Sequence, residues 1–132
     1  MKRLTVRTEA RIEMIDITDQ LRAVLKEEGV SDGVCYVFVP HTTAALTINE
    51  NADPDVSLDI LTSLEKLIPL NDPYRHIEGN AAAHIKAALL GPSEAIFIEK
   101  GDFVFGMWQS VFFCEFDGPR SRQVLVNILP AA

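Results

Sequence analysis

From residue 33 to residue 39 the chain reads Gly-Val-Cys-Tyr-Val-Phe-Val, uncharged and rich in β-branched and aromatic side chains, and Pro40 stops it. A run this short and this apolar predicts a strand, and its lack of polar alternation predicts cover on both faces. Such a strand needs a sheet around it and something packed on the sheet. Leu4, Val6 and Thr8 alternate with Thr5, Arg7 and Glu9, and Ile15 and Ile17 keep the period of two, which predicts a pair of strands. Residues 42–48, 95–98, 104–111, 112–116 and 123–129 are further strand segments, with Asp117-Gly118-Pro119-Arg120 a turn between the last two.

Three helices are expected between them. Thr18-Asp19 offers an N-cap, and Leu21, Val24 and Leu25 form a stripe that Gly29 ends. Asp53-Pro54 pairs a capping carboxylate with proline at the first helical position, where its missing N–H costs nothing. Val56, Ile60, Leu64, Leu67 and Ile68 then make a stripe expected to be buried, and Pro69 closes it. Residues 70–78 lack periodicity and form a loop carrying His76. Asn80 caps a third helix, 80–90, ended by Gly91-Pro92. Strands and helices intermix, with a strand-rich C-terminal third. The expected fold is α+β: a mixed or antiparallel sheet packed with two to three helices, in a single domain over residues 1–132.

A formal charge of -7 argues against nucleic acid and anionic membranes as partners, which need a basic face. No apolar stretch reaches the roughly 18 residues of a membrane span. The N-terminal segment alternates and turns acidic too soon for a signal peptide. Cys35 and Cys114 both lie in apolar segments, which predicts buried free thiols in an intracellular, cytoplasmic protein.

The only three histidines, His41, His76 and His84, stand in polar surroundings with Glu50, Asn51, Asp53, Glu78 and Asn80 close in sequence. Imidazole is the commonest protein ligand for transition metals, so the grouping points to a metal site; each histidine satisfying a buried hydrogen bond is the competing reading. On the third helix, about 100° per residue puts His84 with Asn80, Ala81, Ala87 and Ala88, and Lys86 nearly opposite. His84 also sits near the helix N-terminus, which favours an anion. Glu50, after an apolar strand, is a base or outer ligand or else a solvated strand end. Trp108 and Gln109 stack on and hydrogen-bond a heterocycle, or Trp108 packs in the core. Arg120 and Arg122 clamp a phosphate or are ordinary turn charges.

Taken in order, residues 41–54, His76 with Glu78-Gly79-Asn80, His84-Ile85-Lys86, Gly106-Met107-Trp108-Gln109, Glu115 and Gly118-Pro119-Arg120-Ser121-Arg122 resemble the YjbQ family (uncharacterised protein family 0047, labelled secondary thiamine-phosphate synthase) over almost the whole chain. Members usually carry threonine where this chain has Met107. The resemblance implies a compact α+β domain assembling as a homotrimer, with sites near subunit boundaries. It implies a divalent metal, zinc favoured, on His41, His76 and His84.

The nominal activity joins a pyrimidine pyrophosphate to a thiazole phosphate and expels pyrophosphate, a transferase reaction needing cations for the leaving group and a stacking surface for the ring. His41 and Glu50 would be the catalytic groups, and Arg120, Arg122, Trp108, Gln109 and Asn80 would bind the small phosphorylated substrate. A zinc-type hydrolase of phosphate esters or amides and a non-catalytic trimer binding a metal or metabolite are the alternatives.

Overall fold

The structure, a computed structural model, describes all 132 residues. Its elements run β1 (Lys2–Arg7), β2 (Glu13–Asp16), α1 (Thr18–Glu28), β3 (Gly33–Phe38), β4 (Ala44–Glu50), α2 (Pro54–Leu67), α3 (Ala81–Leu90), β5 (Ser93–Glu99), β6 (Asp102–Phe103), β7 (Gln109–Glu115) and β8 (Ser121–Pro130). They form two sheets, β1-β8-β3-β5-β6 and β2-β7-β4, in which every pairing is antiparallel. The α+β class with three helices is therefore as expected.

The main core lies between the sheets, where Val37, Val124 and Val126 of the larger meet Leu46, Val111 and Phe113 of the smaller, with Leu21, Val24 and Leu25 of α1. A second cluster covers the other side of the small sheet: Phe112, Cys114 and Phe116 pack on Ala83 and Ala87 of α3, with Leu61 and Leu64 of α2 beside them. The strand covered on both faces is therefore β7, buried from Ser110 through Glu115.

β3, expected to have that role, buries only alternate residues; Tyr36 and Phe38 are 48% and 45% exposed. Its sheet has one inner face, and the outer face carries Val34, Phe97 and Leu129 in one register row, with Phe97 and Leu129 exposed. The α2 stripe is corrected likewise. No residue of α2 is fully buried, because the helix rests on the flank of the small sheet beside α3 and leaves Leu58 and Leu67 exposed.

Two other expectations change. Residues 104–108 are a loop, and residues 109–115 form one strand rather than the ends of two. Thr18 does not cap α1: its hydroxyl accepts from the Val111 N–H at 2.9 Å, stitching the helix start to β7, while Asp16 Oδ1 accepts from the Thr18 N–H at 2.9 Å. The α2 cap is as expected, with Asp53 Oδ1 accepting from the Asp55 N–H at 2.9 Å. Gly29 ends α1 at φ +67°, a conformation glycine enters without strain.

Candidate functional site

Pairing between β4 and β7 sets Ala44 opposite Glu115 and Glu50 opposite Gln109. Between those two ends the strand rises about 20 Å. The residues singled out in the sequence divide between these two poles.

At the first pole a cleft of about 390 Å³ is lined only by polar residues and Pro40, among them His41, Asn80, His84, Asp117, Arg120 and Arg122. Pro40 ends β3 and delivers His41 to the rim, where its Nε2 accepts from the Gln123 N–H of β8 at 2.9 Å. Burial and then the Arg122 cation hold the His41 pKa below its ordinary value, so the ring is neutral at pH 7. The first turn of α3 contributes Asn80 and His84. Asn80 does not cap the helix; its Nδ2 donates to Asp117 Oδ2 at 2.9 Å, and its buried Oδ1 has no partner.

Asp117, read in the sequence only as a turn residue, is the hub of this wall. It also takes Arg120, through Nη2 on its Oδ2 at 2.9 Å and Nε on its carbonyl at 2.7 Å. Arg120 is half exposed on the cleft. Arg122 is buried: its Nε donates to Glu115 Oε1 at 2.8 Å and its Nη2 to Thr43 Oγ1 at 2.8 Å. Glu115 is fully buried and also accepts from the Thr8 hydroxyl at 2.8 Å and the Asp117 N–H at 3.0 Å. Burial raises the Glu115 pKa, but the bonds from Arg122, Asp117 and Thr8 outweigh it and leave the carboxyl below its ordinary value. Arg122 thus anchors the wall from behind, while Arg120 faces the cleft.

Gly118 lets the turn close. A Cβ there would stand 2.8 Å from Thr8 Oγ1 and against the Ala10 carbonyl. Thr8 and Thr43 carry no signal in the sequence, because their role depends on strands that meet only in the folded chain. Asp117 had a usable one, an arginine three residues on across a glycine-proline turn.

His76, on the loop after α2, stands over His84 edge to face, with ring centroids 5.2 Å apart. Its Nε2 lies 3.6 Å from Glu78 Oε2. Two imidazoles on one tetrahedral zinc, at about 2.0–2.1 Å from each nitrogen, have centroids about 5 Å apart. The spacing of the His76 and His84 rings is of that size. His41 is not gathered with them: no three His, Cys, Asp or Glu side chains of the chain converge as a metal-binding group.

The second pole holds Glu50, Trp108 and Gln109. The Asn51 N–H donates to the Trp108 carbonyl at 3.0 Å, Asn51 Nδ2 to Ser110 Oγ at 2.6 Å, and the Gly106 N–H to Gln109 Oε1 at 2.8 Å. Gln109 thus braces the loop before β7, and Trp108 is 54% exposed rather than packed in the core. None of these three shares a cleft with His41 or His84 within the chain.

The two cysteines are buried and unpaired. Burial pushes the Cys35 thiol up to about 11, and burial with the Glu94 charge pushes Cys114 up to about 12, so neither is a nucleophile near neutrality.

The model of the YjbQ-like UPF0047 proteins matches residues 2–131. The chain belongs to the YjbQ family. It is 45% identical over 130 residues to UPF0047 protein YugU of Bacillus subtilis, covering 98% of both chains. It is 48% identical over 124 residues to a UPF0047 protein of Methanocaldococcus jannaschii, covering 94% of this chain and 90% of that one. Among solved structures, a YjbQ/UPF0047 protein of Clostridium acetobutylicum superposes with a TM-score of 0.96 at 50% identity, over 98% of this chain and 100% of that one. A YjbQ-like protein of unknown function from Sulfolobus solfataricus does so at 0.94 and 35% identity, over 98% and 96%. The antiparallel fold described above is therefore the YjbQ fold. No helix is long and apolar enough to cross a membrane.

Proposed function

We propose that this YjbQ protein is a cytoplasmic, homotrimeric, metal-dependent enzyme acting on a small phosphorylated molecule in the cleft between His41, His84 and Arg120. The observation that carries the reading is the convergence of imidazoles, a half-exposed arginine and the first turn of α3 on one cleft with no apolar side chain beyond Pro40. Arginine and a helix N-terminus both favour a phosphoryl group.

His76 and His84 would hold the metal through two of its positions, with a group from another copy completing it. Bound there, a zinc-type ion would supply charge against a phosphoryl oxygen or a water acidified for attack. The rest falls to the chain itself. Arg120, held by Asp117, orients the phosphate; neutral His41, its Nε2 taken by the Gln123 N–H, offers its Nδ1–H as a donor at the rim; Arg122 and Glu115 keep this wall fixed.

Thiamine-phosphate synthesis is the coupling reaction to test, and it requires a stacking surface for the pyrimidine. Trp108, at the opposite pole of its own chain, would reach the cleft only from a second copy, and Glu50 would come with it as base. The exposed apolar row of Val34, Phe97 and Leu129 and the unburied α2 supply faces for that assembly. Buried reduced thiols suit the cytoplasm.

The all-polar lining favours a second reaction, hydrolysis of a phosphate ester by the same centre. Metal-reconstituted protein, incubated with hydroxymethylpyrimidine pyrophosphate and thiazole phosphate and separately with p-nitrophenyl phosphate, decides between them. Pyrophosphate release that needs both partners supports coupling, and nitrophenol release supports hydrolysis. Saturable binding without turnover of either overturns the enzymatic reading in favour of a binding protein.

A further inference from the structure

Five of the ten residues of α3 are alanine. Helices fix their rotation by keying side-chain ridges into a neighbour's grooves, and alanine methyls offer little to key with. Yet His84 lies in the first turns of this smooth helix and must face a particular way to meet His76.

One fully buried long side chain breaks the smoothness, ahead of half-buried Leu90 at the helix end. Lys86 is 1% exposed, its Nζ sits 5.9 Å over the Phe116 ring, and it ends in an ion pair with Glu65 Oε1 of α2. The other oxygen of Glu65 accepts from Arg11 Nη2 at 2.7 Å. Lys86 follows His84 by two residues, so the two leave the helix about 200° apart. Fixing one fixes the direction of the other. A buried ammonium tolerates little displacement from its carboxylate, because losing it leaves an uncompensated charge out of water.

Glu65 also stands on the helix that leads into the loop of the other half of the pair. α2 has no fully buried residue to dock it, and the loop bearing His76 leaves from its C-terminal end. Between them only Ile68 is buried, and the Tyr74 hydroxyl donates to the Pro69 carbonyl at 2.6 Å.

We infer that buried Lys86 and half-buried Glu65 form a clasp that sets the rotation of α3 and the seat of α2, so that His84 and His76 face each other across the candidate metal position. Lys86 is then a positioning residue, touching neither ligand nor metal. The inference rests on the reading of that histidine pair as functional.

The test compares the full chain with K86M, E65M and the double variant K86M/E65M. Replacing both partners of a buried ion pair by apolar residues of similar shape tends to restore stability. A merely structural clasp would therefore be repaired in full by the double variant. Three signals are read: the urea midpoint, the nuclear Overhauser effect between the His76 and His84 rings in 15N-histidine-labelled protein, and Co2+ affinity from visible absorption.

The double variant is expected to recover the urea midpoint while the ring-to-ring effect falls at least threefold and Co2+ binds at least tenfold more weakly. A double variant equal to the parent in both ring proximity and Co2+ affinity overturns the inference. If the parent itself binds no Co2+, the metal reading fails, and the ring-to-ring effect alone still decides the clasp. If the double variant does not fold, E65D, which keeps the charge and shortens its arm, is expected to weaken both signals, and unchanged signals there overturn the inference.

Discussion

His76 and His84 meet edge to face with centroids 5.2 Å apart, although one comes from a loop and the other from a helix begun after it. Nothing in the chain bonds the two rings to each other, and each stays partly open to solvent.

Removing either ring should therefore cost metal before it costs fold. Replacing His76 or His84 with alanine is expected to weaken Co2+ or Zn2+ binding at least tenfold and to leave the thermal midpoint of the metal-free protein within a few degrees of the parent. Binding unchanged in both variants would remove the pair from the site.

The Arg122–Glu115 pair predicts the opposite pattern. Both are buried, so R122M, which leaves the carboxylate unpaired, should destabilise the protein by about 3–5 kcal/mol, whereas R122M/E115L should recover much of that loss. Urea unfolding of the two variants against the parent measures it. A single variant as stable as the parent would mean that the wall does not depend on this pair.

Acid should act through the same carboxylate. Glu115 titrates in the folded chain below its ordinary 4.5, as does Glu65, where burial is outweighed by the bonds from Arg11 and Lys86. Above pH 4.5 both states are ionised and the stabilisation is complete. As pH falls from 4.5 through the folded values, the unfolded chain takes up protons first, so stability is lost in that window. Melting curves between pH 6 and 3 should show a fall that is shallower in E115Q, which starts lower and has one such carboxylate fewer.

The outer face of the five-stranded sheet predicts assembly. Phe97 is 69% exposed beside Val34, with Leu129 on the far side of Val34 in the same row. F97E is expected to shift sedimentation from trimer to monomer while leaving the far-ultraviolet spectrum unchanged. A parent chain that sediments as a monomer would refute the trimer directly.

What could be read from the sequence follows the reach of the interactions involved. The α2 cap and the end of α1 depend on neighbours two to four residues away, and Asp53 and Gly29 announced them. The α+β class followed from periodicity. The cover on each face did not: β3 and β7 are similarly apolar runs, and only the pairing of sheets decides which lies inside. Site residues show the same division. His41, Asn80, His84 and Arg120 do line one cleft, while Glu50, Trp108 and Gln109, equally prominent in the sequence, lie a strand's length away. Thr8 and Asp117 were missed because their bonds cross more than 100 residues in one case and depend on a turn closing in the other.

β7 belongs to both hydrophobic clusters, Val111 and Phe113 to one and Phe112 and Cys114 to the other. Neighbouring residues of one strand thus report on opposite sides of the molecule, and neither side can loosen without taking that strand along. Amide exchange at Phe112 and Phe113 should therefore proceed at one common slow rate, governed by the same global opening, so the chain unfolds as one cooperative unit despite its two separate interiors.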